Sequence, residues 1–187
     1  MGQFTNTEGR VVNTETGYID LPLGSFSGSA AAVPIFTSED QATFGYSAVN
    51  SEAFGIRWNN HATPGAVFCT FRSPSDRKPG TDLTVHVVCS KTGATVGDAV
   101  TFTIGAFNNP VGALNDADST FGGATSALVG DASAKTISKL TRTLASADLS
   151  DGSMVTLSIK PTDGKLGTDD VTMHGIYITY ERVLTPN

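Results

Sequence analysis

Charged side chains are scarce in this sequence. They make up 16% of its 187 residues, against roughly 25% in an average globular chain. Lysine and arginine together number 12, the net charge is −6, and the basic residues do not cluster. A nucleic-acid-binding surface is therefore not expected. No apolar run approaches the ~20 residues that a membrane-spanning helix requires. The opening Met1-Gly2-Gln3-Phe4-Thr5 lacks the charged and apolar regions of a signal peptide, which leads to an expectation of synthesis in a cytoplasm, with retention there or exit without the secretory route. Only two cysteines occur, Cys69 and Cys89. They form no CxxC pair and fall in apolar segments, where two buried free thiols are expected. A helical period is sustained nowhere, and no internal repeat is visible.

Small polar residues fill the space left by charge. Thr and Ser recur throughout, beside 20 Gly. This mixture suits strands and tight turns, since Thr fits a pleated surface and Gly adopts positive φ. From Ala53 onward apolar residues alternate. Phe54, Ile56 and Trp58 share one face, as do Val67, Cys69 and Phe71, then Leu83, Val85, Val87 and Cys89. Val100, Phe102, Ile104 and Ala106 follow, then Val155, Leu157 and Ile159, and last Ile176, Ile178 and Tyr180. Thr136 to Leu144 is a further strand, Ser146 to Leu149 one helical turn, and Gly175 the position of a bulge or a close backbone approach. Pro161 ends its strand, and Asn108 to Lys135 reads as a long loop with short strand pieces. Seven or eight such strands predict an all-β, antiparallel, jelly-roll-like sandwich over residues 51–187. Residues 1–50 read as an extended N-terminal arm. It carries a short edge strand at Tyr18 to Leu23, and it is ordered most readily along a neighbour's surface.

Signatures of chemistry are missing. His61, His86 and His174 form no metal-binding pattern, and GxSxG, GxGxxG and P-loop motifs are absent. Asn115 to Thr120 and Gly167 to Asp170 resemble parts of calcium loops without the required Gly and Glu. No catalytic, cofactor-binding or metal-binding residue is assigned, no cofactor is expected, and the chain is not expected to be an enzyme. Trp58 shares its face with Phe54 and Ile56, which favours core packing over a sugar-stacking platform.

Four segments carry a resemblance. They are Ile19 to Leu23, Gly55 to Trp58, Asp82 to Val87 and Val171 to Arg182. Together they resemble the jelly-roll virion proteins of tailed bacteriophages, of the capsid cement or decoration type. The resemblance implies a homo-oligomer, with a trimer favoured, located in the virion. Such a protein stabilises the shell by non-covalent contacts with the major capsid protein. The alternative is a head-fibre, tail-fibre or carbohydrate-binding receptor module, with an exposed aromatic patch at Trp58 or among Asn108 to Gly123.

Overall fold

A computed structural model describes residues 3–5, 11–28, 43–47, 50–58, 65–91, 101–109, 119–121, 137–161 and 170–184. The chain is an all-β sandwich of two antiparallel sheets. Among the described residues the larger sheet has seven strands: β1 (Gln3–Thr5), β2 (Val11–Asp20), β4 (Thr43–Ser47), β5 (Asn50–Trp58), β7 (Leu83–Lys91), β10 (Ser138–Leu144) and β12 (Val171–Leu184). The smaller has five: β3 (Ser27–Gly28), β6 (Val67–Arg72), β8 (Phe102–Asn109), β9 (Ser119–Phe121) and β11 (Met154–Pro161). Two 3-10 turns, Leu23–Ser25 and Ser146–Asp148, complete the described elements.

Alternation explains the core. The two sheets bury their apolar parities against each other. Leu83, Val85, Val87 and Cys89 of β7 face Cys69, Ile104, Leu157 and Ile159 of the smaller sheet in one buried cluster. Trp58 is buried, meets Phe102 edge-on at 5.8 Å, and donates its indole N–H to the Gly65 carbonyl at 2.8 Å. Both cysteines are free and buried, one in each sheet.

The spine of the larger sheet is β12. One edge pairs with β7 from Val171 to Tyr180. The other edge is shared: β5 takes Val171–Met173, and β2 takes Tyr177–Leu184. Register shifts between Met173 and Gly175. The extra residue, His174, lets Met173 and Ile176 both point into the core, although they are three apart. The bulge expected from Gly175 is therefore present, one residue earlier.

The boundary expected at residue 50 does not describe residues 11–28. They belong to both sheets: β2 pairs with β12 at eight positions, and β3 pairs with β6. Leu21 and Phe26 lie in the core. The strand at Tyr18 is longer than expected, starts at Val11, and lies between β1 and β12. It ends at Asp20 because Pro22 opens a 3-10 turn. Its polar sequence hid it, since few of its side chains need burial.

The loop from β6 to β7 crosses between sheets and is fixed by the buried Arg77. That guanidinium donates to the carbonyls of Thr81 (2.5 Å) and Leu149 (3.1 Å) and to Asp151 (2.8 Å).

Candidate binding face

The outer face of the larger sheet carries aromatic, hydroxyl and carboxylate side chains in register. His86 of β7 lies opposite Tyr177 of β12, which lies opposite Asp20 of β2. In the next outward row, Thr84 lies opposite Thr179, and Thr179 opposite Tyr18. Tyr18 is 66% exposed. Tyr18 and Tyr177 are diagonal neighbours, about 7–8 Å apart at the backbone.

The His86 and Tyr177 rings stack at 4.5 Å with a 13° interplanar angle. Neighbouring strands lie about 4.8 Å apart, so both rings stand upright on the sheet. His86 Nε2 lies 2.8 Å from the Thr179 hydroxyl, while its buried Nδ1 has no partner among the described residues. Burial first, and nearby Lys139 second, push this histidine below its ordinary value. It is therefore neutral at neutral pH.

Next to this row a groove of about 400 Å³ opens between β2, β7 and β12. Thr14, Thr16, Thr84 and Thr179 supply hydroxyls, and Asp82 and Glu181 supply carboxylates. A hydrogen bond from Lys78 Nζ at 2.9 Å holds Glu181 below the usual carboxylate range. Hydroxyls and ionised carboxylates both accept from sugar hydroxyls, and an exposed tyrosine ring offers a flat face to sugar C–H groups.

The residues singled out in the sequence are placed as follows. His86 and His174 both reach this sheet. His174 lies 2.7 Å from Ser90 Oγ through Nε2 and 3.4 Å from the Phe54 carbonyl through Nδ1, tying β5, β7 and β12 together. Ser90 is buried, which sets it apart from an accessible nucleophile. Trp58 is core together with Ile56, so the aromatic patch proposed for it is corrected: exposed rings on this sheet, among the described residues, are Tyr18 and, at 50% exposure, Phe54, which shares the parity of Ile56 and Trp58 without their burial. His61, Val100, Thr136, Gly122, Gly123 and residues 110–118 and 167–169 lie outside the described residues. Asp170 forms an ion pair with Arg57. Among the described residues no group of three His, Cys, Asp or Glu could hold a metal. The sequence did carry one signal for the face: Ile176 and Ile178 point inward, so Tyr177 between them points out. The pairing of β2 with β12, which adds Tyr18, left no such trace.

Neither a protein-family model nor a curated protein matches this sequence. Solved structures share its fold. One is the xylan-binding module CBM15, with a TM-score of 0.52 at 16% identity over 89% of this chain and 97% of that one. Another is CBM35 of Abf62 from Cellvibrio japonicus, with a TM-score of 0.50 at 8% identity over 92% and 99%. At such identities the likeness establishes the β-sandwich alone.

Proposed function

We propose that this chain is a carbohydrate-binding module without catalytic activity, and that the outer face of the larger sheet receives the glycan. The observation that carries this reading is the exposed Tyr18 ring beside a groove lined by threonine hydroxyls and carboxylates. A sugar unit stacks on Tyr18. Tyr177 and His86 wall the neighbouring position, and Thr84, Thr179 and Glu181 take hydroxyl protons farther along β12. The carboxylates favour uncharged glycans over anionic ones. The shared fold with a xylan-binding module supports the reading.

Binding to a panel of soluble and insoluble polysaccharides tests it. The unaltered chain is expected to retain at least one neutral polysaccharide. Tyr18→Ala is expected to weaken that binding about tenfold, or about 1.4 kcal/mol, with an unchanged melting temperature. Absence of any retained glycan, or full binding by folded Tyr18→Ala, would overturn it. The shell-cement role implied by the virion resemblance is a separate proposal, tested by saturable binding to capsid particles.

A further inference from the structure

A second cleft lies on the opposite side of β2. Side chains alternate across a strand, so Tyr18 faces outward while Gly17 and Ile19 face the other way. Ile19 and Tyr180 form one wall of a cleft of about 520 Å³, and Arg72 with residues 73–76 of the inter-sheet loop forms the other. The cleft thus sits where the two sheets meet, and its volume falls within the roughly 300–1,000 Å³ of small-molecule sites.

Its walls are mixed. A Cβ at Gly17 would lie 2.3 Å from Tyr180 Cζ, so the tyrosine ring can lie across bare backbone only because residue 17 is glycine. The Tyr180 hydroxyl donates to Asp76 Oδ1 at 3.0 Å, and Asp76 Oδ2 lies 3.3 Å from Arg182 Nε. Burial and the Asp76 carboxylate push this phenol up, so it remains a donor. Arg72 is exposed at the rim, where its Nε donates to the Gly152 carbonyl at 3.3 Å. Its other guanidinium donors form a planar fork suited to a pair of oxygens. Ser73 is 1% exposed, and its buried hydroxyl has no partner among the described residues.

We propose that this cleft is a second saccharide site, which holds one terminal or branching pyranose with adjacent free hydroxyls. The apolar face of the sugar lies against Ile19 and Pro74, and its vicinal hydroxyls meet the Arg72 guanidinium and the Asp76 carboxylate. The ligand class rests on the carbohydrate-binding reading, but the site uses none of the outward-facing residues. Together the two sites would hold a glycan on both sides of β2, one by its chain and one by its end.

Amide chemical shifts of the full chain, titrated with methyl glycosides of xylose, glucose and galactose, test the proposal. Saturable shifts are expected at Ile19, Ser73, Ser75 and Asp76 with at least one of them. Arg72→Ala should weaken binding read at those amides at least tenfold, with an unchanged melting temperature. No shift at Ser73, Ser75 or Asp76 with any glycoside, or unchanged affinity in Arg72→Ala, would overturn it. The outer-face reading fails on a different result, namely oligosaccharide binding that is indifferent to Tyr18→Ala.

Discussion

At the scale of single residues, His86 couples the candidate face to pH. The groups around it are the Tyr177 ring, the hydroxyls of Thr84, Thr141 and Thr179, the Val88 side chain, and the cation of Lys139. None of these is an anion that would favour the imidazolium, and the buried Nδ1 has no hydrogen-bond partner among the described residues. The folded state therefore binds this proton more weakly than the unfolded chain, whose histidine titrates near 6.5. Where the unfolded state holds more protons, stability rises with pH. The His86 contribution is fully present above pH 6.5 and is lost as pH falls from there toward the lower folded value. Thermal melts between about pH 7.5 and 5 should show this loss, and His86→Gln should flatten that part of the profile. A profile unchanged by His86→Gln would assign the dependence to other groups.

At the scale of elements, alternation made much of the sandwich legible. The faces of β6, β7, β11 and the later part of β12 are the ones read from the sequence. Pro161 and the turn at Ser146 also fall where expected. What stayed hidden was pairing, because register depends on a partner strand rather than on a segment's own pattern. Two glycines show it. Gly17 makes room for Tyr180, and Gly55 lets β5 approach β12. A Cβ at Gly55 would lie 2.3 Å from the Met173 carbonyl oxygen and 2.8 Å from Thr172 Cγ2. Neither distance is tolerable, and the oxygen belongs to backbone that β7 also holds. Gly55→Ala is therefore expected to cost about 1–3 kcal/mol, as overpacking does. Urea unfolding should show a lower midpoint with an unchanged slope. An unchanged midpoint would mean that β5 and β12 separate at little cost.

At the scale of the whole molecule, the main revision concerns where the sandwich starts. If residues 1–28 were an arm, their removal would leave the domain intact and abolish only contacts with a partner. In the fold they supply β2, eight paired positions along β12, the short β3, and the buried Leu21 and Phe26. Burying those two side chains alone is worth about 1.5–3 kcal/mol each. Deletion would also leave the C-terminal half of β12 with an unpaired edge, a template for association with other chains. A chain lacking residues 1–28 is therefore expected to melt at least about 10 °C lower and to aggregate, as followed by circular dichroism and light scattering. A truncated chain that stays monodisperse with the native melting temperature would restore the arm. The expected result bears on function too. Loss of glycan or particle binding after such a deletion would report a damaged sandwich, whereas Tyr18→Ala and Arg72→Ala in the intact chain separate the two sides of β2.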